Sequence, residues 1–304
     1  MSASTAPAPT GREKPPQTPS QTPPPESRRF SIARPFVYLV ALLVAALAVG
    51  PVLYVFIGGF RTTADLNANP AGLPDPWILD NWVAVLTSRR FWGNVLASVF
   101  LAVCTTVGVV VAGLMAAYVI ARYTFRGRQA LYTLFAAGLM FPLTVAALPL
   151  TLMLRTIGLH GSYWGVIIPG IAFALPTTII ILTPFLRAIP EEMEEAAVID
   201  GASRMQFFWR ILLPLSKPGL ITVGILAFVA SWNGYLLPLL VISTGSMPQE
   251  WWPLPLGVTQ FSTQYSQNTG AVLAYTSLAM IPALVFFLAA EKRIVSGLTG
   301  AVKG

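Results

Sequence analysis

The sequence predicts an all-α, polytopic membrane protein with six transmembrane helices. Three observations carry that reading. Of 304 residues, 55% are hydrophobic and only 10% are charged, with a mean hydropathy of +0.68. An ordinary soluble domain carries about 25% charged residues, so this chain lacks the polar surface of a soluble enzyme. The apolar residues fall in six long uncharged stretches rather than alternating with polar ones, which fits helices and not barrel strands of about ten residues. The single Cys (Cys104) excludes an intramolecular disulfide, and with one His (His160) no Cys/His metal cluster can be built.

Residues 1–34 stand apart. They hold eight prolines among Ser, Thr, Gln and Lys. With no apolar cluster to bury, they read as a disordered cytoplasmic tail. The remainder, 35–304, reads as one six-helix membrane domain. Its first stretch, Phe36–Ile57, is long enough to cross about 30 Å of hydrocarbon. A cleavable signal peptide is the rival there, because Ala46-Leu47-Ala48 resembles a cleavage site. The long tail in front and the apolar run behind weigh against it. The next stretches are Phe91–Ala121, Gln129–Leu154, Thr156–Leu186 and Pro218–Gln249. The sixth lies within Trp251–Ala290, its membrane part being Ala271–Ala290.

Basic residues orient the bundle. The tail, the loop at 122–128, the region 187–217 and the C-terminus hold fifteen Lys and Arg, against four (Arg61, Arg89, Arg90, Arg155) on the other side. By the positive-inside rule both termini are cytoplasmic. The net charge of +7 is thereby absorbed by membrane topology and does not point to nucleic acid. Trp77, Trp82, Trp251 and Trp252 fall in outer loops and read as interfacial anchors. His160 reads as an interface residue and Cys104 as a small buried apolar one.

The least membrane-like segment lies between the fourth and fifth stretches, at about 190–213. Pro190 suits a first helical position, and Glu191, Glu192, Glu194 and Glu195 complement the positive end of a helix dipole. Asp200-Gly201 stops that helix, with Gly201 free to turn left-handed. Ser203 and Gln206 have capping-box spacing for a second helix. Phe207, Phe208, Ile211 and Leu212 give it an apolar stripe. Pro214 and Pro218 frame the start of the fifth stretch. Two readings fit the first helix: a docking knob for a cytosolic partner, its Ala196, Ala197 and Gly201 allowing close approach, or a solvated connector.

This segment resembles a known family. Glu195-Ala196-Ala197, three residues, Gly201, nine residues and Ile211-x-Leu213-Pro214 fill every fixed position of the EAA-x3-G-x9-I-x-L-P signature of ABC importer permeases. Asp200-Gly201-Ala202-Ser203 and Leu213-Pro214-Leu215 look like the carbohydrate-uptake branch, in particular its maltose-type second permease subunit. Phe60-Arg61-Thr62, Asn69-Pro70 and Asp80-Asn81-Trp82 are similar to the first outer loop of those subunits, and Ser296–Gly304 to their C-terminal ending.

The resemblance implies the MetI-like permease fold and a place in the cell membrane. It implies a second permease subunit, of a different sequence, completing the pore. It also implies two cytosolic ABC ATPase subunits and an extracytoplasmic sugar-binding protein. The coupling residues would be Glu195, Ala196, Ala197, Asp200, Gly201, Ile211, Leu213 and Pro214. The chain has no phosphate-binding G-x-x-x-x-G-K-[ST] loop, so no catalytic residue and no cofactor is expected in it. ATP-Mg would be used by the partner ATPase.

Asn94, Ser98, Trp232, Asn233 and Tyr235 are polar or aromatic interruptions of apolar stretches. They read either as a solute pathway or as helix–helix hydrogen bonding and packing. An intramembrane enzyme would need paired acids or a nucleophile–base pair, and an ion-coupled carrier an ionisable midplane residue. The stretches hold neither. A permease for a non-sugar solute stays open as the alternative.

Overall fold

The computed structural model describes residues 33–261 and 268–302, with side chains for 35–260 and 268–288. The Pro-rich tail up to residue 32 and the side chains of the Ser296–Gly304 ending lie outside the described residues. Every regular element among the described residues is helical. By its internal contacts the chain divides into two units, Met1–Ala48 and Val49–Gly304.

Helix α1 (Ala33–Gly58) runs unbroken through Ala46-Leu47-Ala48. Two short helices follow in the first loop, α2 (Thr63–Ala68) and α3 (Asp80–Leu86). Then come α4 (Arg89–Arg122), α5 (Arg128–Gly138), α6 (Leu143–Thr156) and α7 (Trp164–Arg187). The segment 190–215 carries α8 (Glu192–Ile199) and α9 (Arg204–Phe207), a π-helical turn Phe208–Leu212, and α10 (Leu213–Leu215). Next are α11 (Lys217–Trp232), α12 (Leu236–Pro238) with a π turn to Ser243, and α13 (Leu254–Gly257). The last helix is α14 (Thr269–Val302).

Among the described residues, four helices are long and apolar enough to cross a membrane: Pro35–Gly58, Arg89–Arg122, Trp164–Arg187 and Thr269–Leu288. Two bent pairs bring the number to six if each pair is one span. The first pair corrects the sequence reading, because Gln129–Leu154 is not one straight helix. α5 and α6 meet at 100°. The cause is Pro142, which stands at the N-cap of α6 and has no N–H to continue α5, while Phe141 before it is kept out of the α region.

The second pair bends by 72° at Ser216. Pro214 and Pro218 remove two donors within five residues. Between them the N–H and the hydroxyl of Ser216 both donate to the carbonyl of Leu212 at 2.9 and 2.7 Å, a side-chain back-bond that favours a bend. The stretch Pro218–Gln249 is broken where its polar and aromatic residues interrupt it: α11 ends at Trp232, and Asn233-Gly234-Tyr235 separate it from α12.

α4 packs along α7 and α11, and α11 along α14. One core cluster joins Leu114, Ala117, Ala121, Leu182, Leu186 and Val223 of α4, α7 and α11 to Ala197, Phe207 and Leu212 of the segment 190–215. A second gathers Trp82, Val85, Phe91, Trp232, Leu254 and Tyr275. Trp82 is therefore a core residue and not an interfacial anchor, whereas Trp77 and Trp251 are exposed.

Three separated pieces of the first loop meet at Arg61, which is 1% exposed. Its Nε donates to Asp65 at 2.5 Å, and its Nη2 to the carbonyls of Asn69 and Asp65 at 2.7 and 3.2 Å. Asn81 donates to the carbonyls of Gly59 and Arg61 at 3.0 and 2.9 Å. This ion pair raises the guanidinium further and holds the Asp65 carboxyl below the usual carboxylate range.

Candidate functional site

The segment 190–215 is built as two capped helices. Three glutamates occupy the first turn of α8, but Glu191 and not Pro190 precedes it. Pro190 stays outside the helix, its carbonyl accepting from Met193 at 3.3 Å. At the other end Gly201 takes φ +81°. The N–H of Gly201 donates to Val198 at 3.0 Å and that of Ala202 to Ala197 at 2.9 Å, the paired bonds of a Schellman stop. Ser203 then caps α9 reciprocally: its N–H donates to Gln206 Oε1 at 2.7 Å, and the Gln206 N–H donates to its Oγ at 3.2 Å.

The two alanines of the signature part company. Ala196 is exposed, as are Glu195 and Asp200, and Ile199 projects outward at 85% exposure. Ala197 is buried in this chain's own core against the ends of α4, α7 and α11. Its small size therefore serves internal packing, and only Glu195 and Ala196 present the small, acidic outer face. In the second helix Phe207 and Leu212 are the fully buried anchors; Ile211 and Leu213 pack at their edge and Pro214 is exposed. Pro214 acts through the backbone, ending the π turn in which Leu213 N–H reaches back to Phe208. Arg122, one of the three basic residues at 122–128, joins this unit: its Nη2 donates to the carbonyl of Ile189 at 2.7 Å.

A cavity of about 550 Å3 lies between α4, α7, α11 and the segment Gly234–Pro238. Of the five pathway candidates only Tyr235 lines it. Trp232 is buried and stacks on Phe228 at 5.8 Å, and Asn233 donates to the carbonyl of Val229 at 3.0 Å. Asn94 is fully buried. Its Nδ2 donates to the carbonyls of Gln249 and Trp252 at 3.0 and 2.6 Å, and its Oδ1 accepts from Gln260 and Tyr275 at 3.2 and 3.1 Å. That fills the amide's donor and acceptor capacity. Ser98 Oγ accepts from the Leu254 N–H at 2.7 Å.

Asn94 and Ser98 thus pin the loop 249–260 onto α4 and α14. Gly257 is required there, since a Cβ would collide with Tyr275 Oη and Asn94 Oδ1. The hydroxyls that do line the cavity, Thr105, Thr177, Thr178 and Ser231, were signalled only as small polar residues within apolar stretches.

Residues 108–292 match the family of binding-protein-dependent transport system inner membrane components. The chain belongs to this family. It is a multi-pass transport permease, not an enzyme. It is 32% identical to the diacetylchitobiose uptake system permease protein NgcG of Streptomyces coelicolor, over 90% of this chain and 88% of that one. It is 37% identical to the trehalose transport system permease protein SugB of Mycobacterium tuberculosis, over 86% and 95%. A crystal structure of a bacterial ABC transporter involved in import of the acidic polysaccharide alginate shares the fold, with a TM-score of 0.75 at 22% identity. The match covers 89% of the permease and 99% of that chain.

Proposed function

We propose that the permease forms half of the translocation pathway of an ATP-driven sugar importer whose cargo is an oligosaccharide. One observation carries the coupling part of this reading. The helix α8 packs through Ala197 into the same cluster as the ends of α4, α7 and α11, and those three helices line the cavity. A partner that moves α8 therefore moves the cavity wall as one body, a two-state element biased by ATP.

In this reading residues 35–304 are the permease domain and 1–34 a cytoplasmic tail. Both termini are cytoplasmic in this reading, which the distribution of basic residues supports. Glu195 and Ala196 meet an ABC ATPase subunit, with Asp200 beside them and Gly201 fixing the turn. Ile211, Leu213 and Pro214 hold the second helix. Two cytosolic ATPase subunits bind below and consume ATP-Mg, and this chain holds no cofactor. A second, different permease subunit completes the pore, and an extracytoplasmic sugar-binding protein delivers the solute. The sugar assignment is supported by the relatives named for diacetylchitobiose and trehalose.

The test is reconstitution with the partner subunits, followed by a screen of mono- and oligosaccharides for stimulated ATP hydrolysis. Stimulation by a sugar is expected. Failure with every sugar alongside success with amino acids would move the permease to another solute class.

A further inference from the structure

Among the described residues, no charged side chain lines the cavity between α4, α7 and α11. Its polar side chains are the hydroxyls of Thr105, Thr177, Ser231 and Tyr235, together with that of Thr178, which donates to the Ala174 carbonyl at 2.9 Å and offers only its acceptor side; Phe173 adds an aromatic face. Charge is missing from the walls as well. α4 has none between Arg90 and Arg122, α7 none before Arg187, and α11 none after Lys217. The basic groups of these helices therefore stand at helix ends, away from the cavity.

Hydroxyl groups both donate and accept, as sugar hydroxyls do, and an aromatic plane suits the apolar face of a sugar ring. An anion in such a cavity would lose its hydration and find no counter-charge. We infer that the cargo is an uncharged, hydroxyl-rich glycan, and that uronate- or sulfonate-bearing sugars are refused at this cavity. The inference rests on the reading of the cavity as this chain's half of the pathway. It separates the permease from the alginate importer whose fold it shares, since that transporter handles an acidic polysaccharide.

The experiment uses the whole transporter in liposomes, with its binding protein, and measures tracer uptake of trehalose, diacetylchitobiose and other neutral oligosaccharides against alginate oligosaccharides. At least one neutral glycan is expected to accumulate, with every acidic one at least about tenfold lower. Acidic uptake above a tenth of the neutral rate overturns the inference and leaves the importer reading standing. Uptake of no carbohydrate overturns the importer reading itself.

Because the binding protein selects first, a second comparison reads the permease directly. Ser231→Glu and Ser231→Gln have the same reach and shape and differ in charge. Neutral uptake in Ser231→Glu should fall at least about tenfold below Ser231→Gln, because the carboxylate has no counter-charge there. Equal uptake in the two variants shows a cavity that tolerates charge and overturns the inference.

Discussion

Arg122, the last residue of α4, donates from Nη2 to the carbonyl of Ile189 at 2.7 Å, across 67 residues of sequence. Ile189 sits in the cluster that holds Ala197. The end of one cavity-lining helix is thus tied to the short link that leads from α7 into α8. A hydrogen bond from a charged donor contributes about 1.5–3 kcal/mol, so breaking it loosens the joint without unfolding the bundle. Arg122→Gln is expected to leave ATPase co-purification intact while solute uptake falls about tenfold, the equivalent of about 1.4 kcal/mol. Wild-type uptake in that variant would show that the joint carries no coupling.

The two signature alanines should fail differently. Ala197→Leu forces three extra carbons into a packed cluster, which costs about 1–3 kcal/mol. The permease itself should unfold at lower temperature in detergent. Ala196→Leu adds the same bulk on an exposed face. It should leave the unfolding temperature unchanged and weaken ATPase association in a pull-down. Loss of stability in both variants would place Ala196 in the core as well. A stable Ala197→Leu would contradict its burial.

Gly201 answers to backbone conformation alone. Its φ is +81°, and nothing lies within 4 Å of where a Cβ would sit. A left-handed residue with a Cβ costs roughly 1–2 kcal/mol, less for Asn, which visits that region. Gly201→Asn should therefore retain most uptake, and Gly201→Val should lose it. If Asn and Val were equally damaging, contact with the ATPase and not the turn would be what requires glycine.

The two-helix segment was legible because its determinants are local: a glycine stop, a capping box spaced by three, and acids in a first turn. The six spans were legible as composition. What escaped the sequence depends on distance or on a single helical step. Asn94 finds its partners 155 to 181 residues away, so a buried clamp and a pathway amide look alike in one dimension. Ala196 and Ala197 sit on a helix of eight residues with little amphipathic contrast, and nothing in the pattern says which one turns inward. The 100° break between α5 and α6 was written as Phe141-Pro142, but the apolar composition on both sides hid it.

The first loop should respond to acid. The Arg61 hydrogen bond holds the Asp65 carboxyl below its unfolded value. A group whose folded pKa is depressed contributes its stabilisation above the unfolded pKa and loses it as pH falls through the folded one. The Arg61–Asp65 tie is therefore fully present at neutral pH and weakens below about pH 4. Its loss frees the guanidinium that also holds the carbonyls of Asn69 and Pro70. Amide hydrogen exchange in α2 and the following residues, corrected for the intrinsic pH dependence, should rise as pH drops from 6 towards 3. Asp65→Asn should show the raised exchange already at neutral pH, with little further change on acidification. An Asp65→Asn variant that still opened only in acid would assign the response to another group.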